Sequence, residues 1–239
     1  MPARRNKKSP SVVYYPVFLN LSGKKAVVVG GGKVAERKVL SLLKAGADIT
    51  VISPSLTGTL QRKKAGNAFR HHPRNYRKGD LGKAFLVISA TDSPALNKKI
   101  AKDAPALVNV VDVPPECNFI APSVVKRGPL TIAVSTDGVS PAFSRTVREE
   151  LENIYGPQIG DYLGFIRKMR TKALSEISRH DEREKFLKSI ASKKIVDVLR
   201  TEGFPPVKQI ILDSFLRVKK NHNGENTQKK TATVKRSLS

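Results

Sequence analysis

The chain has 239 residues, enough for one large domain or two modest ones with an ample core. Its 44 lysines and arginines against 20 aspartates and glutamates leave a formal charge of +24, which implies attraction to anions without choosing among nucleic acid, lipid and a polycarboxylate metabolite. A single cysteine, Cys117, excludes an internal disulfide, and no apolar run approaches a membrane span or a signal-peptide core, so a soluble, cytoplasmic protein is expected.

Residues 1–13 read as a basic flexible arm carrying Arg4, Arg5, Lys7 and Lys8. The run Tyr14-Tyr15-Pro16-Val17-Phe18-Leu19 reads as an aromatic approach to the first strand, there for packing. Lys24 to Leu43, KKAVVVGGGKVAERKVLSLL, then passes from a β-branched run through three glycines into a helical pattern. Val34, Lys38 and Leu42 with Ala35, Val39 and Leu43 give that helix one face.

Gly30, Gly32 and Ala35 match G-x-G-x-x-A. The first glycine allows a sharp turn, the second lets backbone approach a pyrophosphate, and the small third residue lets helix and strand pack closely. With Gly31, Lys33 and Val34 they make the expected phosphate cradle, the helix N-terminus supplying amide donors and positive potential. Gly46 stops the helix, and Asp48 to Ile52 reads as the second strand of a right-handed crossover. A dinucleotide fold usually has an acid at the end of that strand for the ribose hydroxyls. Here Ser53 and Pro54 stand there, so either serine and backbone hold the ribose or a phosphorylated ribose is tolerated.

A short strand is expected around Ala68 to His71, with His71 and His72 as surface histidines. Phe85 to Ala90 is the next strand, followed by Thr91-Asp92-Ser93-Pro94, where Ser93 caps and Pro94 opens a helix running to about Ala104. Thr91 and Asp92 lie at a strand's carboxyl end, and Asn97 either faces the cofactor or is an exposed helix residue. Leu107 to Val111 is the fifth strand. Asp112 follows it, and Pro114 and Pro115 argue against a helix starting at once. That leaves a carboxylate in the loop at the edge where doubly wound sheets bind ligands.

Beyond it the pattern predicts two more strands, Asn118 to Ala121 and Leu130 to Ser135, joined by a basic turn through Lys126, Arg127 and Gly128. Ser140-Pro141 caps a further helix with Phe143, Val147, Leu151 and Ile154 on one face. From Pro157 to about Leu216 the chain reads as helical, and from Val218 as a polar, basic tail.

In order from Tyr15 to about Arg170 the chain resembles the dehydrogenase and chelatase portion of sirohaem synthase, the precorrin-2 dehydrogenase or sirohydrochlorin ferrochelatase family. The resemblance is carried by YYPVFLNLSGKKAVVVGGGKVAERKV, VISPSL, VISATDSPALN, NVVD and, most specifically, FIAPSVVKRGPLTIAVSTDGVSPAFSRTVREELE. Members of that family lack the ribose acid, as this chain does.

The resemblance implies an α/β fold in which a Rossmann-type parallel sheet domain is followed by a small α+β dimerisation region and a helical C-terminal domain. The expected boundaries are 14–113 for the NAD-binding domain, 114–156 for dimerisation, 157–217 for the helical domain and 218–239 for a basic disordered tail. It implies NAD as cofactor, a homodimer, and oxidation of precorrin-2 to sirohydrochlorin, in some members followed by insertion of ferrous iron. By the resemblance Asp112 carries the family's active-site aspartate; no metal ligand is fixed, and Asp112 is a candidate contact to iron during chelation. Ser135, Thr136, Asp137 and Gly138 form the loop that lines the site, with threonine where some relatives have serine.

Precorrin-2 carries many acetate and propionate groups, so Lys126, Arg127, Arg145 and Arg148 are candidate contacts to its carboxylates. The alternatives are an NAD-sensing Rossmann module without catalysis, and nucleic-acid binding. The second is disfavoured by the lack of any nucleic-acid motif and of aromatics within the basic runs.

Overall fold

A computed structural model describes residues 14–236, with side chains described as far as Lys220; Arg4, Arg5, Lys7 and Lys8 of the expected basic arm lie outside these residues. The chain divides into two compact units, one running through Ala121 and including Asp137–Val139, the other comprising Pro122–Thr136 and everything from Ser140 onward.

The first unit is built on five parallel strands: β1 (Lys25–Val29), β2 (Asp48–Ile52), β3 (Arg70–His72), β4 (Leu86–Ser89) and β5 (Leu107–Val110), in the order β3-β2-β1-β4-β5. The inner strands are apolar on both sides because helices cover both faces. On one face Ala26, Val28, Ile49, Val51, Leu86 and Ile88 pack with Ala35, Val39 and Leu42 of α1 (Lys33–Lys44) and Leu60 of α2 (Gly58–Ala65). On the other, Val27, Val29, Val87, Val108 and Val110 pack with Ile100 of α3 (Pro94–Asp103). Each fully buried aliphatic side chain contributes roughly 1.5–3 kcal/mol. The strand order reverses at β1, so the loops after β1 and β4 flank the crevice where such sheets take ligands.

The second unit begins with an antiparallel hairpin, β6 (Ser123–Arg127) and β7 (Leu130–Val134). Helices follow: α4 (Pro141–Ile154), α5 (Gln158–Glu176), α6 (His180–Ser189), α7 (Lys193–Thr201) and α8 (Phe204–Arg236). Its core gathers Ile159, Tyr162, Met169, Phe186, Leu199, Ile211 and Phe215, with Leu130 of β7 packed against it. Gly128 turns the hairpin with a positive φ of 55°, and a β carbon there would come within 3.0 Å of the Gly160 Cα. Glycine at this place permits both the turn and the close approach of α5.

Several expectations are corrected. Asn118 to Ala121 is not a strand: the Asn118 side chain accepts from the Val108 amide at 2.7 Å and donates to the Ala106 carbonyl at 2.7 Å, tying the segment alongside β5 within the first unit. The first unit runs through Ala121, past the boundary expected at 113, and residues 114–156, expected as the dimerisation region, are divided between the two units. Pro114–Glu116 forms a single 3-10 turn, which proline tolerates because its missing amide would be unpaired there anyway. Tyr15, Val17 and Phe18 do not pack; Tyr15 and Phe18 are 86% and 75% exposed and the segment is not a strand. Helix α8 does not stop near Leu216 but continues to Arg236, with no proline after Pro206 to break it, so the expected disordered tail is helical over most of its length.

Candidate active site

The glycine loop is shaped by what surrounds it. At Gly30, with φ 120°, a β carbon would lie 2.2 Å from the Ala90 carbonyl oxygen. At Gly31 it would lie 1.9 Å from the Ser55 carbonyl oxygen and 2.7 Å from Ser53 Oγ. Both positions require glycine for the loops after β1, β2 and β4 to meet. Gly32 differs: it precedes α1 in extended conformation, and nothing lies within 4 Å of where its β carbon would be. The Glu36 amide bonds the Gly32 carbonyl at 2.9 Å, so the first-turn amides of Lys33, Val34 and Ala35 have no acceptor within the helix. Open space, amide donors and the positive end of a helix dipole together make an anion cradle.

Neighbouring groups brace it. Thr57 caps α2, its amide donates to the Gly31 carbonyl at 3.1 Å, and its hydroxyl donates to the Glu36 carboxylate. That hydrogen bond, helped by Lys33, holds the Glu36 carboxyl below its usual pKa despite opposing desolvation. Ser53 is buried, and its carbonyl accepts from His71 Nε2 at 2.9 Å. His71, expected at the surface with His72, is half-buried behind the β2 loop. Pro54 is exposed beside it. The supporting roles of Glu36, Thr57 and His71 leave no periodicity or motif by which sequence reading could find them.

Asn97 is not an exposed helix residue. It is only 7% exposed, its Oδ1 accepts from Ser89 Oγ at 2.7 Å and Thr91 Oγ1 at 2.6 Å, and its Nδ2 donates to the Thr91 carbonyl at 3.0 Å. All of this fixes the loop after β4, leaving Asp92 exposed at its tip.

Asp112 follows β5 with φ 60°, in the left-handed region that L residues other than Asn and Asp rarely enter. Its carboxylate is exposed. Just beyond, Cys117 lies under the loop, its thiol donating to the Val110 carbonyl at 3.2 Å. Burial pushes that thiol above its usual pKa, against the lowering effect of the Val110 amide and Lys38.

In the second unit Thr136 Oγ1 donates to the Ser140 carbonyl at 3.0 Å, accepts from the Ser140 amide at 3.1 Å and meets Ser144 Oγ at 3.0 Å. Thr136 thus holds the start of α4, a task serine could share. Ser135 lies beside it in that unit, whereas Asp137 and Gly138 belong to the first, where Gly138 stands near Pro114.

The four basic candidates are not equivalent. Arg127 is committed: its Nε donates to the Tyr155 carbonyl at 2.8 Å and Nη2 to the Glu152 carbonyl at 3.3 Å, capping the end of α4. Lys126 Nζ donates to Thr131 Oγ1 at 2.7 Å across the hairpin. Arg145 pairs with Glu149 at 2.9 Å, and Arg148 with Glu149 at 2.9 Å and Glu152 at 2.7 Å. Such helix-surface pairs are weak enough to exchange for a ligand carboxylate. Among the described residues no group of three or more His, Cys, Asp or Glu side chains is placed to hold a metal ion, and no helix is long and apolar enough to cross a membrane.

A parallel sheet with this strand order, a glycine loop opening on free helix amides, and a buried serine after β2 define a Rossmann-type protein whose cradle fits a nicotinamide dinucleotide. Comparison with known proteins narrows this. A family described as putative NAD(P)-binding matches residues 17–123, and one described as sirohaem biosynthesis protein, central, matches 127–154. Siroheme synthase of Methylobacillus flagellatus is 38% identical over 178 residues, which cover 73% of this chain and 38% of that protein. Siroheme synthase of Pseudoalteromonas translucida is 34% identical over 215 residues, 89% of this chain and 45% of that protein. Among solved structures, SirC, a precorrin-2 dehydrogenase, superposes with a TM-score of 0.73 at 25% identity, covering 87% of this chain and all of that one. The chain is thus similar to part of the sirohaem synthases and shares its fold with a precorrin-2 dehydrogenase. It spans less than half the length of the sirohaem synthases named above.

Proposed function

We propose that this chain oxidises precorrin-2 to sirohydrochlorin with NAD, in a reducing cytoplasm where its one cysteine stays a thiol. The observation that carries the reading is the placement of Asp112: an exposed carboxylate on a left-handed turn after β5, at the same carboxyl edge of the sheet as the glycine cradle. The dehydrogenase named in the structural match has the same fold, which supports it.

Gly30, Gly31 and Gly32 with the amides of Lys33, Val34 and Ala35 would hold the dinucleotide phosphates, and Ser53, Pro54, Thr91 and Asp92 would border its ribose and nicotinamide. The bound nicotinamide supplies the hydride acceptor. Asp112 takes the proton that leaves the macrocycle, for which an exposed carboxylate is suited. Arg145 and Arg148 pair with substrate carboxylates by exchanging Glu149 and Glu152, while Ser135, Thr136, Asp137 and Gly138 shape the loop before α4. Positioning accounts for most of the remaining rate.

NAD is favoured over NADP because Arg74, just after β3, is held by Asp80 through two hydrogen bonds in a largely covered pair, and Arg70 pairs with Asp48 at the amino end of β2, away from the edge where the ribose would lie. Iron insertion would also release pyrrole protons, which Asp112 can receive, so ferrous iron is the second substrate to test. A homodimer is proposed from the exposed Val124 of β6 and Phe143 and Ile154 of α4, apolar groups that a second copy would cover.

The test is an anaerobic assay with precorrin-2 and NAD, then ferrous iron, following NADH and the macrocycle spectrum. Asp112→Ala should slow turnover by about 100-fold or more with NADH affinity unchanged. Full activity in that variant refutes the role of Asp112. NADH binding with no oxidation by the wild-type chain would instead favour a sensing module.

A further inference from the structure

Helix α1 packs one stripe against the sheet, formed by Ala35, Val39 and Leu42 with Val34 partly covered. Lys38 occupies the same stripe, one turn beyond Val34, and is half-buried. A lysine there is out of keeping with the helix, whose exposed positions Lys33, Arg37 and Ser41 already carry its polar groups. Val111, the residue before Asp112, and Phe119 pack against the apolar cluster that includes α1, while Val113 and Cys117 turn to the cluster on the other face of the sheet, so the loop crosses the sheet's end with Asp112 next to the α1 side. The Lys38 ammonium is therefore close enough to feel both groups.

Among the described residues, no ion pair or hydrogen bond engages that ammonium. Burial, and the charge of Arg37 beside it, push Lys38 below its usual pKa, while Asp112 and Cys117 act in the opposite sense. A partly desolvated cation beside a second cation is a place where an anion is stabilised on arrival.

We propose that Lys38 anchors a peripheral carboxylate of the tetrapyrrole beside Asp112, setting which edge of the macrocycle meets the proton acceptor. This inference rests on the substrate class proposed above. Lys38 contributes binding and orientation and takes no part in the proton transfer. Half-burial on the apolar stripe suits a lysine whose aliphatic stem is covered while its charged head stays available to a ligand.

The experiment measures binding of an octacarboxylic porphyrin to the full-length chain by fluorescence quenching, at low and high salt, alongside NADH affinity and the thermal midpoint. K38M should weaken porphyrin binding about tenfold at low salt, and the gap should narrow at high salt. NADH affinity and the thermal midpoint should be unchanged, and K38R should restore most of the binding. If methionine disturbs folding, K38Q reports the same loss of charge. Equal porphyrin affinity in wild type and K38M overturns the anchor, as does a loss that K38R does not restore and salt does not alter. The reaction is scored separately: wild-type chain that binds porphyrin through Lys38 yet never oxidises precorrin-2 upholds the anchor and removes the reaction. Oxidation without Lys38-dependent binding removes the anchor alone.

Discussion

The carbonyl oxygen of Ala90 lies 2.2 Å from the point that a β carbon on Gly30 would occupy, so the β1 and β4 loops touch through a gap only glycine leaves. Gly30→Ala should therefore destabilise the first unit by at least about 2 kcal/mol, combining a backbone clash with a disallowed φ. Gly32→Ala meets no atom within 4 Å and should cost about 1 kcal/mol or less as a poorer cap. Its effect should appear in NADH affinity, weakened about tenfold or more by a methyl group in the phosphate cradle. Urea denaturation beside an NADH titration separates the two; equal behaviour of the variants would remove the cradle assignment.

Asn97 makes a second contrast. Asn97→Ala leaves Ser89, wholly buried, and Thr91 without their shared acceptor, and should cost roughly 1–3 kcal/mol. Combining it with Ser89→Ala should cost less than the sum, since the orphaned hydroxyl is then gone. Additive costs in urea melts would mean that water already satisfies the site.

Arg127 and the arginines of α4 should separate by readout. Arg127→Ala removes the donors to the Tyr155 and Glu152 carbonyls and should lower stability by roughly 1–2 kcal/mol, with lysine a poor substitute because it lacks the fork. Arg145→Ala and Arg148→Ala should leave the melt nearly unchanged and raise the Michaelis constant for precorrin-2 in a salt-dependent way. A salt-dependent Michaelis effect from Arg127 without loss of stability would reverse this division.

Acid sensitivity should centre on Asp80. Arg74 holds it through two hydrogen bonds at 2.7 and 2.8 Å, the Arg77 amide adds another at 2.7 Å, and its carboxyl lies below the usual value, against opposing desolvation. Because the folded pKa is the lower one, the stabilisation is complete above about pH 4, the unfolded value, and is lost as pH falls through the folded value. The stability difference between wild type and Asp80→Asn should thus be constant near neutrality and shrink below about pH 4. A difference that grew on acidification would contradict the pairing.

The features legible in the sequence are those written in local pattern. The strand, glycine loop and α1 follow from a β-branched run, a glycine spacing and a helical stripe. Ser93 and Ser140 cap α3 and α4 through the Leu96 and Phe143 amides, as serine before proline suggests. Helix α2 escaped notice because only Leu60 of its eight residues is buried, leaving no periodicity to read. Asn97, Arg127 and Thr136 have tasks set by partners that no spacing rule predicts, and Lys38 counted merely as one position in an apolar face. The exposure of Tyr15 and Phe18 runs against their composition, which alone argues for burial.

The φ of 60° at Asp112 puts evolvability at stake. Glycine would adopt this turn without strain and asparagine nearly as well, so a library sorted only for heat resistance should accumulate those residues at 112. On the role proposed for Asp112, the same library sorted for precorrin-2 oxidation should keep aspartate. Position 112 would then mark where selection for durability and selection for turnover part company.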